Sequence, residues 1–506
     1  MLRLCRRRLW HPTLASRIHN GTRYSTSHNN TRQTAGSTEP SGLLTRTMSD
    51  ILPTFHISGE AISVLTKPSD YYQSLLAMIA RAKQRIVISS LYIGETENQL
   101  ISALSDALSK NEQLEVTIQV DALRSTRPSK TQASPAHLLL PLVNAYPKRV
   151  QVKMFRSPKL SGPLHYLVPR RFDEGWGTWH AKVYLVDDEI LLSGANLNSS
   201  YFTNRQDRYI HFSRSPHFAD YLVRLLRVFA GYSFDLRVSP ESSLGYTLDW
   251  PRRDSTLFTF APLAKKEINA LQAGVRGTLP MGGVDNQITV FPMVQSGVLG
   301  IHEEERCLHA LFDLLDSGKL PKTSLVDITS GYFALYGPYQ DRVLASKATY
   351  RIVAASPSAN GFLGSKGISG RIPEGYTLLE QRFWDRVLAV HRQWDGDGGI
   401  ELREWQRPGW TYHAKGMWIL PSIHEAPYAT LFGSTNLNSR SAHLDTEVSF
   451  LLSVSEQNSL LRTALQHEVS HIRSSTVKVD DQTFASSERR VSFTTRAIVA
   501  LVGAML

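Results

Sequence analysis

The chain reads as an α/β protein made of two tandem copies of one unit, each a β-sheet flanked by helices. Three observations predict this. Apolar runs of strand character alternate with segments of helical spacing through both halves. The stretch TWHAKVYLVDDEILLSGANLN at 178–198 returns as TYHAKGMWILPSIHEAPYATLFGSTNLN at 411–438. The paired segments also keep nearly one distance. The His-Ala-Lys copies lie 233 residues apart, whereas the Asn-Leu-Asn copies, and ISSLYI (88–93) with ITSGYF (328–333), lie 240 apart. Matching order at near-constant offset is the mark of an internal duplication.

In the first copy, spacing predicts a helix over 70–83 and a buried strand over 85–93. Thr96 and Gln99 form a capping box for a helix whose apolar stripe is Leu100, Ile101, Leu104, Ala107 and Leu108. A strand at 115–120, a helix near 135–145 and a strand at 149–155 lead to the His-Ala-Lys segment. The second copy repeats this order. A helix over 307–315 stops at Gly318, strands follow at 325–333 and 350–355, then a helix near 377–391 and a strand at 400–404. The units are placed at 48–240 and 301–476, joined by a weakly periodic connection at 241–300 and followed by a tail at 477–506. Its apolar end, 496–506, is too short to span a bilayer. It fits either a dip into the interface beside Arg489 and Arg490 or a short packed helix.

Charge is unevenly spread. Residues 1–49 hold eight arginines, no lysine and the single acid Glu39, a net of +7 out of +11 for the whole chain. The folded body thus lacks the basic surface that nucleic acid would require, and no nucleic-acid partner is expected. An Arg-, Ser- and Thr-rich stretch nearly free of acids has the composition of a mitochondrial transit peptide, which is placed at 1–47. Two cysteines rule out a disulfide framework.

The chemistry-bearing residues recur with the duplication. One copy offers His180, Lys182, Asp187 and Asn196, with Asp207 eleven residues after the asparagine; the other offers His413, Lys415 and Asn436, with Glu447 at the same spacing. In a strand, positions i and i+2 share a face, so each histidine projects with its lysine. A cation beside an imidazole suits phosphate, an amide adds a neutral donor, and a carboxylate can hold the imidazole through its other nitrogen. Two such sets around one phosphorus supply a nucleophile and a proton-transfer group. Asp187 fits either a direct role or a turn cap, and Asp207 fits either the site or an ion pair with Arg205 or Arg208. Arg170 and Arg171 suit an anionic substrate or a solvated pair. No metal cluster and no nucleotide-binding glycine loop is read.

H-x-K-x4-D followed by G-x-N in the first copy, with H-x-K followed by G-x-x-N in the second, resembles the signature of the phospholipase D superfamily. SGANLNSSYFTNRQDRY at 193–209, with the transit-like N-terminus, is similar to its mitochondrial phosphatidylglycerophosphate synthases. The resemblance implies pseudo-two-fold symmetry with one shared active site, and transfer of a phosphatidyl group from CDP-diacylglycerol to glycerol 3-phosphate without cofactor or metal. It further implies peripheral contact with the matrix face of the mitochondrial inner membrane. A phosphatidylserine synthase, a phosphodiesterase of the same superfamily, or a non-catalytic lipid-binding protein are the alternatives. The second copy departs at Leu420, where the motif acid should stand. Counting carboxylates copy by copy, His180 has Asp187 and Asp207 while His413 has only Glu447. That count nominates His180 as nucleophile and His413 as the group that protonates the leaving CMP and then deprotonates the acceptor.

Overall fold

The computed structural model describes residues 39–128, 133–159, 173–276 and 287–503. Residues 1–38 of the expected leader and the pair Arg170 and Arg171 lie outside the described residues. Two large sheets carry the site. In the first, β1 (Arg85–Ser89), β2 (Glu115–Asp121) and β3 (Val150–Phe155) run parallel. On the other side of β1 lie β4 (Val183–Val186), β5 (Glu189–Ser193) and β6 (Tyr209–Phe212), each antiparallel to its neighbour. The second sheet repeats these pairings with β7 (Leu325–Ser330), β8 (Thr349–Ala355) and β9 (Ile400–Trp405) parallel. From β7 it continues antiparallel through β10 (Lys415–Leu420), β11 (Ala429–Gly433) and β12 (Thr446–Ser453).

Spatial order is therefore β3-β2-β1-β4-β5-β6 in one sheet and β9-β8-β7-β10-β11-β12 in the other. Central β1 (RIVIS) is a near-continuous apolar run, as a strand covered on both faces must be, whereas β3 (VQVKMF) and β9 (IELREW) alternate apolar and polar residues. Helices 68–80, 98–110 and 135–145 bury one face of the first sheet, and 303–316 and 372–389 one face of the second. A third apolar cluster draws side chains from both sheets, among them Val183, Leu185, Val290 and Phe450, and includes helices 216–230 and 459–473.

Several boundaries differ from the sequence reading for local reasons. The helix after β1 begins at Asn98 with Glu97 as its N-cap, so the Thr96/Gln99 box does not form. Glu97 instead accepts from Ser199 N at 2.7 Å. Within 241–300, Ala261–Val275 is a helix with Ile268 fully buried, and Gln287–Ser296 is a strand paired with β12. At the N-terminus, the helix Pro40–Ser49 overlaps the end of the stretch assigned to the leader. Its Leu44 and Met48 are fully buried in the second sheet's core beside Cys307, because helical spacing sets both on one face. The strand Phe55–Ser58 then joins the second sheet before Ile62–Leu65 enters the first. Among the described residues, no helix is long and apolar enough to cross a membrane.

Candidate active site

Each His-Ala-Lys segment is preceded by a short backbone pairing with the other half of the chain. Trp179 bridges Thr446 in parallel, with His180 N donating to Thr446 O at 2.9 Å and Thr446 N to Thr178 O at 2.8 Å. Thr411–Tyr412 pairs in parallel with Arg205–Gln206, and His413 N donates to Gln206 O at 2.8 Å. The residue after each acceptor is an acid, and the register sets it on the imidazole. His180 Nδ1 lies 2.8 Å from Glu447 Oε2, and His413 Nδ1 lies 2.6 Å from Asp207 Oδ2. The carboxylates are exchanged: each histidine is held by the acid of the other copy. This corrects the count that gave His180 two acids and His413 one.

Asp187 is not part of the site. It occupies the turn between β4 and β5 with φ +52°. Its carboxylate accepts from the backbone N–H groups of Lys83, Gln84 and Arg85 at 2.8, 2.8 and 3.0 Å, fastening the start of β1. Leu420, its counterpart, is fully buried at the end of β10.

Lys182 and Lys415 are each 1% exposed and donate Nζ to the carbonyl of their own histidine at 2.7 Å. Lys415 Nζ also lies 2.8 Å from His413 Nδ1 and 3.8 Å from Asp207 Oδ2. A Cβ on Gly194 would stand 2.7 Å from Asp207 Oδ1 and 2.8 Å from Lys415 Nζ. The motif glycine is the room this acid and lysine occupy. Asn196 donates Nδ2 to the Tyr201 hydroxyl at 3.1 Å. Asn436 keeps a buried side-chain oxygen without a hydrogen-bond partner among the described residues. The second asparagine of each Asn-Leu-Asn, Asn198 and Asn438, caps a short helix, accepting from Ser200 N and Ser441 N.

Burial sets the protonation states. It lowers His180, and it lowers His413 well below the ordinary imidazole value, where Lys415, Arg205 and Lys182 add repulsion. It lowers Lys182 to about 7 and Lys415 to about 8, with nearby acids opposing. It raises Asp207 to about 6 against the pull of Lys415. Burial would raise Glu447 too, but His180 beside it, with Lys182, outweighs burial and holds that acid below the ordinary carboxylate value. Both imidazoles are therefore neutral at neutral pH, and with Nδ1–H on Glu447 the His180 ring presents its Nε2 lone pair.

A cavity of about 960 Å³ is lined by His180, His413, Asn196 and Asn436 together. Sequence reasoning missed Tyr201, Arg205 and Tyr332 on the same wall. Tyr201 and Tyr332 set their rings edge-on to His413, with centroids 5.1 and 5.6 Å away, and the Tyr201 hydroxyl is 3.4 Å from His413 Nε2. Position supplied a signal: five residues past each motif asparagine stand Tyr201 and Ser441, and Ser441 Oγ donates to Glu447 Oε1 at 2.7 Å. His180, Asp445 and Glu447 bring donor atoms within 4.8 Å of one another, as metal ligands would. Both acids are already engaged, Asp445 by Thr178 and Arg440 and Glu447 by Ser441 and His180.

A family model described as the PLD-like domain of cardiolipin synthase matches residues 75–226. The mitochondrial CDP-diacylglycerol–glycerol-3-phosphate 3-phosphatidyltransferase of Gallus gallus is 31% identical over 90% of this chain and 85% of its own length. The enzyme of that name from Schizosaccharomyces pombe is 33% identical over 84% of this chain and 91% of its own. The crystal structure of Haemophilus influenzae phosphatidylserine synthase shares the fold, with a TM-score of 0.66 at 18% identity over 92% of this chain and 98% of its own.

Proposed function

The chain belongs to the CDP-diacylglycerol–glycerol-3-phosphate 3-phosphatidyltransferases, and from that premise we propose that its crossed histidine pairs transfer phosphatidyl in two steps. The reaction is phosphatidyl transfer from CDP-diacylglycerol to glycerol 3-phosphate, giving phosphatidylglycerophosphate and CMP. One observation carries the mechanism: two imidazoles, each held through Nδ1 by a carboxylate of the opposite half, line one cavity.

In the first step His180 Nε2 attacks the phosphatidyl phosphorus. The P–N bond forms as the P–O bond to CMP breaks, and CMP leaves as an anion. In the second step the acceptor hydroxyl gives its proton to His413 Nε2 while its oxygen attacks phosphorus and expels His180. Lys182, Lys415, Asn196 and Asn436 meet the charge that gathers on the phosphoryl oxygens. His180 is the nucleophile on a ground different from carboxylate number. Among the described residues its Nε2 has no protein partner, whereas that of His413 lies beside the Tyr201 hydroxyl. His413, kept neutral by burial, has an unprotonated imidazole to take up the acceptor's proton.

The acyl chains of the donor require a bilayer, and helix Phe493–Val502 supports the contact. Ile498 and Val499 line the catalytic cavity while Phe493 and Leu501 on the same helix are 87% and 85% exposed. The Gallus gallus relative is named mitochondrial; together with the basic leader this supports residence on the matrix face of the inner membrane. The test is purified protein supplied with CDP-diacylglycerol and, separately, glycerol 3-phosphate, serine or water. The product expected is phosphatidylglycerophosphate with the first acceptor alone. Phosphatidylserine, or phosphatidic acid whatever the acceptor, sinks the reading.

A further inference from the structure

The two halves of the site correspond position by position, and at one position the charge is inverted. Asn204–Asp207 and Leu444–Glu447 correspond at the 240-residue offset, so Arg205 stands where the other copy has Asp445. Their threonine partners correspond too. Thr178 Oγ1 donates to Asp445 Oδ1 at 2.9 Å, and Arg205 Nε donates to Thr411 Oγ1 at 2.9 Å. On the His180 side the acid is neutralised, because Arg440 Nε reaches Asp445 Oδ2 at 2.7 Å. On the His413 side no carboxylate pairs with Arg205 among the described residues. The guanidinium lies 4.4 Å above the Tyr201 ring, which is itself 5.1 Å from the His413 ring. One aromatic ring thus bridges the cation and the base, and all three line the cavity.

A cation held in a partly enclosed wall without its own counter-ion is a site for an anionic group of the substrate. Both substrates carry phosphate, but only the acceptor has to reach His413. Two other arginines in the same wall, Arg124 and Arg127, share Glu174 and are open to the donor's pyrophosphate. We propose that Arg205 binds the phosphate of the acceptor alcohol and so delivers its free hydroxyl to His413 Nε2. The inversion from Asp445 to Arg205 then divides the duplicated site into a donor side at His180 and an acceptor side at His413. This rests on the phosphatidyltransferase reading above.

The test compares glycerol 3-phosphate with glycerol, its uncharged analogue, as acceptors for one enzyme preparation. The preference for the phosphorylated acceptor should fall on the order of 10–10²-fold in Arg205→Gln, the scale of charge-assisted hydrogen bonds, with a higher KM for glycerol 3-phosphate. Arg205→Lys should recover part of it. The ratio is internal to each preparation, so a smaller folded fraction does not move it. A preference unchanged in both variants overturns the assignment. So does acceptor-independent exchange of labelled CMP into CDP-diacylglycerol that falls in parallel with transfer while the preference persists, because the arginine would then serve the donor. Wild-type protein that makes no phosphatidylglycerophosphate would instead sink the functional reading itself.

Discussion

Replacing Glu447 by Gln tests the crossed arrangement at its most exposed assumption. The side chain keeps its size, and Ser441 Oγ, 2.7 Å from Oε1, still has an oxygen to bond. That bond turns the new amide nitrogen toward His180 Nδ1, which lies 2.8 Å from Oε2 in the native site. An amide N–H can only donate, so the imidazole must present a lone pair at Nδ1 and carry its proton on Nε2, where the attack should come from. The same change of tautomer in a carboxylate-held histidine of a hydrolase costs about 10⁴ in turnover. Turnover should therefore fall about 10³–10⁴-fold, roughly 4–5.5 kcal/mol of barrier. The assay is acceptor-independent exchange of labelled CMP into CDP-diacylglycerol, with mass spectrometry of quenched enzyme for lipid on His180. Glu447→Gln should lose both signals. Asp207→Asn should keep the lipid on His180 and fail to pass it on. Were Asp207→Asn to abolish the covalent species while Glu447→Gln preserved it, each histidine would be served from its own copy, and the reasoning would fall.

Asp187→Ala should lower the melting temperature through loss of three backbone anchors yet leave KM and kcat of the folded enzyme within about twofold; a selective loss of kcat would return that acid to the site. Leu44→Ala should cost roughly 2–5 kcal/mol in urea denaturation, as for other fully buried leucines, and a chain beginning at residue 39 should match the longer one; an unchanged midpoint in Leu44→Ala would refute the packing of that helix. Lys182 falls from its usual 10.5 to about 7, so from about pH 7 to 10 the unfolded chain binds more protons than the folded and stability rises with pH. The stability gap between wild type and Lys182→Met should consequently shift in favour of wild type across that window, and a flat gap would contradict it. Phe493→Asp with Leu501→Asp should weaken sedimentation with anionic phospholipid vesicles but spare turnover of a short-chain, water-soluble donor; retained vesicle binding would remove this helix from the membrane contact.

The α/β class and the recurrence of the His-Ala-Lys and Asn-Leu-Asn segments were legible because they are local patterns repeated along the chain. The exchange of acids was not. It depends on Thr446 and Gln206 pairing with segments more than 200 residues away in the chain, and spacing within a motif carries no record of which distant strand lies alongside. The same blindness explains Asp187, whose place in H-x-K-x4-D resembles a catalytic acid but whose partners are the backbone of Lys83–Arg85. Arg205 was visible only as a neighbour of Asp207. Its sign matters because of Asp445, and the two are comparable only once both strands are seen in one site. In the helix Pro40–Ser49, arginine content outweighed the spacing of Leu44 and Met48, which would have marked a buried face.

The exchanged carboxylates also set a clock on the making of the enzyme. A chain that emerges from a ribosome, or is drawn amino end first through a membrane pore, exposes His180 long before Glu447. Until the last third of the polypeptide has arrived and folded back, that imidazole has no fixed tautomer, and His413 has not yet met Asp207. A fragment truncated before residue 447, by premature termination or by proteolysis, is left with His180 but without the carboxylate that holds its Nδ1.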